Sequence, residues 1–212
     1  MSLNFVDDCR EKWKFICDTY EIKDHPKLKR FLIQQVEEWN ELVDDVISKT
    51  KINFGMEIGT NGGGSFYTLC RFAEDDALLI SLDLVDCPYC GLDKKQEVFK
   101  KEFAKENQKL HVLHGNSTEL ETIENIKQIL NQNELDYLFI DGDHSYNGVK
   151  QDFDNYSPMV RDGGIIVFHD IGGDQECGSA KFWQEIKQDK NSREIFVPGS
   201  EKNVMGIGVI YK

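Results

Sequence analysis

Short apolar runs alternate with helix-like segments along most of the 212-residue chain, and this alternation constrains the fold more than any other feature. Five runs have the length and composition of buried strands, and two further runs lie too close together for a helix between them. The predicted strands are residues 54–58, 78–82, 110–113, 135–140, 165–168, 195–197 and 204–211. The predicted helices between them are residues 66–73, 93–106, 119–130, 146–156 and 180–187.

Strands that alternate with helices predict an α/β fold in which a mostly parallel sheet is joined by right-handed crossovers. We expect a Rossmann-like, doubly wound sheet of seven strands, closed by an antiparallel C-terminal hairpin. Residues 26–49 show the spacing of an amphipathic helix with Pro26 in its first turn, so residues 1–50 are interpreted as a helical N-terminal extension. No linker separates them from residues 51–212, which predicts a single domain over residues 1–212.

The charge of the chain argues against several classes of function. Its net charge is −13 and the acidic residues are spread along the sequence, which disfavours a nucleic-acid partner. The first residues are acidic and no long apolar segment follows, so we expect a cytoplasmic protein with no membrane contact. Six cysteines are too sparse for a disulfide framework. One C-x-x-C pair, Cys87 and Cys90, leaves a zinc module as a weak alternative.

The first predicted strand ends in a glycine-rich turn. Four of the six residues 59–64 are glycines, and a helix follows near Ser65. Glycines let the backbone approach a ligand closely, and a helix N-terminus offers free N–H groups to an anion. The turn is not the dinucleotide fingerprint G-x-G-x-x-G, because Asn61 stands where that spacing needs glycine.

Polar residues also follow the second and third predicted strands. Asp83 ends the second strand, where a carboxylate can accept hydrogen bonds from both hydroxyls of a ribose. Asn116 and Ser117 follow the third strand and could contact the edge of a base. Both residue types are also common in turns and helix caps, and the sequence favours neither interpretation.

The fourth and fifth predicted strands end in ionisable groups. Asp141, Asp143 and His144 follow the fourth strand, and His169 and Asp170 follow the fifth. In a parallel sheet these strand ends lie near one another, with Asp143 expected to face solvent. Oxygen and nitrogen groups that converge in this way can hold a divalent cation, and a neighbouring imidazole can act as a base.

These motifs together resemble a known family. The segments EIGTNGGGS, LDLVD and FIDGDHSYNGVKQDFDNYSPMVRDGGIIVFHD are similar to those of class I S-adenosylmethionine-dependent methyltransferases. Within that class they resemble the small O-methyltransferase branch with a D-G-x-H-x-Y motif and a terminal H-D, which is methyltransferase family 24-like. The resemblance covers residues 54–170 in detail and implies that residues 51–212 form a cofactor-binding core.

The resemblance implies roles for individual residues. Glu57 and Gly59 correspond to positions beside the methionine part of S-adenosylmethionine, and Ser65 to one near its carboxylate. Asp83 corresponds to the ribose acid and Ser117 to the serine of the adenine loop. With the glycine-rich turn and the residues after the third strand, the predicted cofactor-binding residues are Glu57, Gly59, Asn61, Gly62, Ser65, Asp83, Asn116, Ser117 and Asp141.

The metal site departs from the family pattern at one position. The resemblance implies metal ligands at Asp141, His169 and Asp170 and a catalytic base at His144, but relatives carry an acid where this chain has His169. An imidazole suits softer cations better than it suits Mg²⁺. We therefore expect either no metal requirement, or a site for Mg²⁺, Mn²⁺, Fe²⁺ or Zn²⁺.

The expected activity is O-methylation of a small hydroxylated metabolite or sugar, with S-adenosylmethionine as methyl donor. The alternatives are a non-catalytic S-adenosylmethionine-binding protein and a nicotinamide-dependent oxidoreductase, although the latter lacks its fingerprint. Residues 171–179 are glycine-rich and are interpreted as a cover over the site. The N-terminal helices are interpreted as an acceptor wall or a homodimer contact.

Overall fold

The computed structural model describes residues 35–84, 95–173, 177–197, 199 and 205–212, together with helical residues at 9, 11–12, 14–16 and 19. We number the elements from residue 35 onward. The strands are β1 Phe54–Ile58, β2 Leu78–Asp83, β3 Lys109–His114, β4 Leu135–Ile140, β5 Val160–His169, β6 Asn191–Ile195 and β7 Ile207–Tyr211. The helices are α1 Val36–Asp45, α2 Gly64–Phe72, α3 Lys95–Glu102, α4 Leu120–Leu130, α5 Tyr146–Tyr156 and α6 Gly178–Ile186. Short 3₁₀ turns occupy Ile47–Lys49, Ser157–Met159 and Lys187–Asp189.

The seven strands form one sheet in the order β3-β2-β1-β4-β5-β7-β6. The first five strands pair in parallel, whereas β7 runs antiparallel to both β5 and β6. This arrangement confirms the predicted doubly wound sheet and its antiparallel C-terminal hairpin. Strands β2 and β3 lie on one side of β1, and β4 and β5 lie on the other. The order of strands therefore reverses at β1, and folds of this type bind ligands at such a reversal.

Each face of the sheet is covered by its own apolar core. All six residues of β4 are buried, as expected of a central strand with helices on both sides. On one face Phe139 and Val167 pack with Trp39 of α1. On the other face Leu138 and Phe168 pack with residues of α4, α5 and α6. Alternate residues of each strand therefore contribute to different cores.

Helix α1 is anchored to the C-terminal hairpin by a buried carboxylate. Glu38 is 1% exposed and accepts hydrogen bonds from Val197 N at 3.0 Å and Gly206 N at 3.1 Å. Gly206 precedes Ile207, which pairs with His169 at the end of β5. The anchor thus places α1 beside the strand end that carries His169.

The predicted N-terminal helix is only partly within the described residues. It begins at Val36 in the structure and ends at Asp45, and residues 26–34 of the prediction lie outside the described ranges. Within these ranges, none of the helices combines the length and the apolar character needed to cross a lipid bilayer.

Candidate active site

The glycine turn after β1 touches the end of β4 through backbone atoms. Gly59 has φ 86° and donates its N–H to Leu82 O at 2.9 Å. A Cβ on Gly59 would lie 2.1 Å from Asp141 O. Asp141 N in turn donates to Ile58 O at 2.9 Å. Only glycine fits at this contact, so the turn and the first residue after β4 are held at a fixed separation.

The remainder of the turn leads into α2. Asn61 has φ 45° and Gly63 has φ 93°, and Gly63 is the N-cap of α2 without a side-chain cap. The first N–H groups of α2 therefore lack a capping side chain, as in helix termini that bind anions. Ser65 is buried and donates its hydroxyl to Glu57, so the structure pairs these two predicted cofactor residues with each other.

Asp83 at the end of β2 faces the same turn. Its Oδ2 accepts from Asn61 N at 2.7 Å and its Oδ1 accepts from Leu84 N at 2.9 Å. The backbone contacts fix the orientation of the carboxylate toward the turn.

The loop after β3 carries Asn116 and Ser117. Asn116 is exposed, and its Oδ1 accepts from Thr118 N at 3.0 Å and from the Thr118 hydroxyl at 2.9 Å. Ser117 is half-buried, and its carbonyl oxygen accepts from the Tyr156 hydroxyl at 2.7 Å. The structure thus gives Asn116 a local turn contact and attaches Ser117 to α5.

Four ionisable side chains converge at the ends of β4 and β5. His144 Nε2 lies 3.2 Å from Asp141 Oδ1, and His144 Nδ1 lies 3.0 Å from Asp170 Oδ2. His169 Nδ1 lies 3.1 Å from Asp170 Oδ1 and 3.5 Å from Asp141 Oδ1. We call Asp141, His144, His169 and Asp170 the strand-end cluster. It confirms the expectation that the two strand ends meet.

Local backbone structure orients the members of the strand-end cluster. Asp170 has φ 56°, a left-handed conformation that Asp tolerates better than most residues. His144 lies in a turn in which Asp143 accepts from Ser145 N and from the Ser145 hydroxyl, both at 2.9 Å. Ser145 then caps α5 by accepting from Gly148 N at 3.0 Å. Asp143 itself is exposed, as expected.

The strand-end cluster shifts the pKa of each of its members. Side-chain hydrogen bonds with Asp141 and Asp170 raise the pKa of His144 to about 10. Burial alone would lower the pKa of His169, but the two carboxylates outweigh it and raise this pKa to about 10. Burial would raise the pKa of Asp141 and of Asp170, but the two imidazoles outweigh burial and lower both pKa values. Two imidazolium and two carboxylate groups therefore balance at neutral pH.

Three members of the strand-end cluster have the arrangement of a metal site. Asp141, His144 and Asp170 each offer one ligand atom, and these three atoms lie within 4.8 Å of one another. Among the described residues, this group has the spacing to hold a metal ion. The predicted metal ligand His169 lies beside this group and is 4% exposed, whereas His144, the predicted base, is 48% exposed. His169 Nε2 is buried and has no hydrogen-bond partner among the described residues. The predicted C-x-x-C pair lies outside the described residues.

Two features of the site were absent from the sequence-based prediction. Asp152 of α5 is 1% exposed, and its position could have been found because it lies three residues after Val149 and four before Tyr156 on the buried face of the helix. Gly178 at the start of α6 packs against the backbone of the His144 turn, and a Cβ there would lie 2.0 Å from Tyr146 N. The sequence marks Gly178 only as part of the glycine-rich residues 171–179.

The fold and the strand-end groups define an α/β methyltransferase-type domain, and comparison with known proteins identifies the family. A family model described as a methyltransferase domain matches residues 56–171, which is more than half of the chain. The chain belongs to this methyltransferase family. This match confirms the resemblance to class I methyltransferases, and the observed sheet confirms the expected fold class.

Two curated relatives are similar to part of this chain. An uncharacterized protein of Acanthamoeba polyphaga mimivirus is 37% identical over 121 residues, which are 54% of this chain and 50% of that protein. An uncharacterized protein of Sinorhizobium fredii is 25% identical over 137 residues, which are 62% of this chain and 14% of that protein. The matched region thus spans half or less of the length of these relatives.

Solved structures share the fold at low sequence identity. The O-methyltransferase from Bacillus cereus in complex with SAH has a TM-score of 0.57 at 16% identity and covers 96% of this chain and 100% of its own. The O-methyltransferase TomG from Streptomyces achromogenes in complex with SAM has a TM-score of 0.64 at 14% identity, covering 96% and 88%. The MycE methyltransferase in complex with Mg and SAH has a TM-score of 0.54 at 19% identity, covering 81% and 48%.

Proposed function

We propose that this chain transfers a methyl group from S-adenosylmethionine to a hydroxyl oxygen of a small acceptor, such as a hydroxylated metabolite or sugar. The observation that carries the proposal is the strand-end cluster, which lies next to the glycine turn through the Gly59–Asp141 backbone contact. A site for the methyl donor and a set of acid–base groups therefore adjoin each other. The structural neighbours described as O-methyltransferases in complex with SAM or SAH support the proposal.

The residues around the glycine turn suit S-adenosylmethionine. Gly59 leaves no side chain in the crevice floor, and the start of α2 lacks a capping side chain, so an amino-acid carboxylate can approach its N–H groups. Asp83 is held by its bonds to Asn61 and Leu84 as an oriented acceptor, which suits the hydroxyls of a ribose. When bound, the donor supplies a methyl group on a positively charged sulfur, which is already activated toward nucleophiles.

The strand-end cluster suits a divalent cation. Asp141 and Asp170 offer two carboxylates, and the predicted ligand His169 lies beside them, which leaves His144 available as the base. This mixed oxygen and nitrogen set fits Mn²⁺, Fe²⁺ or Zn²⁺ better than Mg²⁺. Such an ion, when bound, would lower the pKa of an acceptor hydroxyl. The MycE structure with Mg and SAH supports testing Mg²⁺ as well.

His144 is the proposed base. It is the most exposed member of the strand-end cluster, and at neutral pH its ring is protonated between Asp141 and Asp170. His144 can act as a base only after it has released the proton that it holds between Asp141 and Asp170. This release requires another positive charge beside the two carboxylates. The acceptor hydroxyl then passes its proton to His144 while the new carbon–oxygen bond forms and the carbon–sulfur bond breaks. Positioning of the two reactants supplies most of the acceleration.

The charge of the chain bears on the class of acceptor. A net charge of −13 disfavours a phosphate polymer, so a small molecule is the proposed acceptor class. Helix α1 and the residues after β5 both contact the segment just before β7. Glu38 of α1 accepts from Gly206 N, and Gly172 N donates to Met205 O at 2.7 Å. These segments are the proposed acceptor side of the site.

Calorimetric titration with S-adenosylmethionine and S-adenosylhomocysteine tests the donor site. We expect binding, and we expect Asp83→Asn to weaken it roughly 10- to 100-fold because a charged acceptor is lost. Asp76→Asn is the matched control, since Asp76 is exposed near the opposite end of the same strand. No binding by the wild-type protein would overturn the proposal.

Turnover separates an enzyme from a non-catalytic binding protein. Purified protein with Mn²⁺, Mg²⁺ or Zn²⁺ is given a panel of sugars and phenols, and formation of S-adenosylhomocysteine is measured. We expect metal-dependent product with at least one acceptor, and a loss of turnover in His144→Ala that leaves S-adenosylhomocysteine affinity intact. Unchanged turnover in His144→Ala would remove the base role, and donor binding without any turnover would favour the binding protein.

A further inference from the structure

Within the buried part of strand β2, one side chain is polar. Ser81 is 0% exposed and follows Leu79 and Ile80, which are buried as well. Burial of a hydroxyl destabilises a folded chain unless the hydroxyl has a hydrogen-bond partner. The partner is Thr60, which is 2% exposed and accepts from the Ser81 hydroxyl at 2.7 Å. The proposed reaction uses neither side chain.

Thr60 belongs to the glycine turn after β1, so its bond to Ser81 joins this turn to β2. Backbone donors on either side of Thr60 make two further bonds: Gly59 N donates to Leu82 O at 2.9 Å, and Asn61 N donates to Asp83 Oδ2 at 2.7 Å. Three consecutive residues of the turn are thus bonded to the last three residues of β2. The middle bond joins two side chains, so a substitution at either position removes it.

The turn needs this support because part of its backbone is unfavourable. Asn61 has φ 45°, a left-handed conformation that residues other than glycine rarely adopt. Thr60 directly precedes Asn61, and the carbonyl oxygen of Thr60 accepts from Gly63 N at 2.8 Å. The bond between the Thr60 and Ser81 side chains therefore holds the tight part of the turn, between β1 and α2, against β2.

We propose that Thr60 and Ser81 are positioning residues that keep the amino-acid end and the ribose end of the donor site at a fixed separation. This inference rests on the proposed function, in which the turn and the start of α2 bind the amino-acid part of the donor and Asp83 binds its ribose. The buried pair acts through the backbone of the turn. A ligand that spans both ends gains affinity from a fixed separation, because less binding free energy is used to order the site. A ligand that occupies the ribose end alone does not.

The test compares a ligand that spans both ends with one that reaches only the ribose end. Binding of S-adenosylhomocysteine and of adenosine is measured by calorimetry. The variants are Thr60→Val, which removes the hydroxyl and keeps the side-chain shape, Ser81→Ala, the double variant, and Thr60→Ser, which keeps the hydroxyl. Thr50→Val is the matched control, since the Thr50 hydroxyl donates to Val46 O at 2.8 Å and lies before the start of β1, at the opposite end of the sheet.

We expect Thr60→Val and Ser81→Ala each to weaken S-adenosylhomocysteine binding roughly tenfold, the effect of one net hydrogen bond, and adenosine binding by less than about threefold. The double variant should bind no more weakly than the weaker single variant, because all three proteins lose the same bond. Thr60→Ser and Thr50→Val should bind both ligands within about threefold of the wild-type protein, because both retain the bond to Ser81.

Equal losses for the two ligands, additive losses in the double variant, or unchanged S-adenosylhomocysteine affinity in Ser81→Ala would each overturn the inference and leave the proposed function in place. A wild-type protein that binds S-adenosylhomocysteine but not adenosine would do the same, since the ribose end would then have no affinity of its own. Urea denaturation checks that each variant is folded, and Ser81→Ala decides the outcome if Thr60→Val is not. Failure of the wild-type protein to bind S-adenosylhomocysteine would overturn the proposed function and this inference with it.

Discussion

Among single residues, the buried Asp152 makes the stability of the fold depend on pH. The pKa of its carboxyl is about 6 in the folded chain against 3.8 for the ordinary group. Between these pH values the folded chain holds a proton that the unfolded chain has released. The stabilising effect of that proton is complete below about pH 4 and is lost as the pH rises through about 6.

Asp152→Asn should therefore increase stability at high pH. A shift of about two pKa units corresponds to a gain of about 3 kcal/mol in the free energy of unfolding at pH 8, with little gain at pH 4. Urea denaturation of both proteins at the two pH values measures the difference. An equal effect at pH 4 and pH 8 would show that ionisation of Asp152 is not the cause.

Gly59 is the residue at which the two halves of the site touch. Gly59→Ala should abolish S-adenosylhomocysteine binding, because its Cβ would lie 2.1 Å from Asp141 O. Gly199 is a matched control: it has the same φ of 86°, but no atom of the described residues lies within 4 Å of the point where its methyl group would stand. Gly199→Ala thus carries the cost of the left-handed conformation, about 1–2 kcal/mol, without the clash. Equal binding by the two variants in the same titration would contradict this account.

At the scale of elements, α6 holds the turn that carries His144. A Cβ on Gly178 would meet Tyr146 N at 2.0 Å and His144 O at 2.6 Å, both backbone atoms that cannot rotate away. Gly178→Ala should move α6 off this turn and reduce turnover at least tenfold, because small displacements of reacting groups are costly. Affinity for S-adenosylhomocysteine should change little, since the glycine turn after β1 is not touched.

The control for Gly178→Ala is Gln184→Ala, which changes an exposed position of the same helix. It should leave turnover and affinity as they are. A parallel loss of donor affinity in Gly178→Ala would mean that the substitution disturbs the whole domain. Steady-state kinetics and calorimetry on the same preparations distinguish the two results.

The elements also show what the sequence could predict. The parallel strands are buried on both faces, so each appears as a continuous apolar run, and β1 and β4 have their predicted bounds. Strand β6 was predicted too late in the chain, at residues 195–197, because it is an edge strand whose residues Ser192, Arg193 and Glu194 are polar. Edge strands need only one partner and carry no apolar signal.

The meeting of the strand-end groups was predictable, but their pairing was not. Each group directly follows a buried strand, and parallel strands end at one edge of the sheet. Which imidazole faces the two carboxylates depends on turn geometry, namely the left-handed Asp170 and the Asp143–Ser145 turn around His144. Residue spacing does not encode these backbone conformations.

At the scale of the whole molecule, Glu38 joins parts of the chain that are far apart in sequence. It accepts from Val197 N and Gly206 N, 159 and 168 residues away. Glu38→Ala would remove the carboxylate that accepts from these two N–H groups, of which Gly206 N is buried, and should lower the free energy of unfolding by about 2–4 kcal/mol. Urea denaturation measures this loss.

Arg193→Ala is the control for this contact between α1 and the hairpin. Arg193 pairs with Glu41 at 2.6 Å and Asp45 at 2.9 Å, but the pair is partly exposed to solvent. Exposed ion pairs contribute little to stability, so this variant should lose much less than Glu38→Ala. A larger loss in Arg193→Ala would place the main attachment of α1 at the surface instead.

The backbone contact between Gly59 and Asp141 also bears on how such a chain can diverge. Because main-chain atoms make this contact, exchange of side chains elsewhere leaves the spacing between the glycine turn and Asp141 unchanged. The segments on the other side of the strand-end cluster, α1 and the residues after Asp170, are joined to the sheet through Glu38 and Gly206. Under the proposed function, mutations in those segments would change the acceptor while the half that binds the methyl donor is inherited intact.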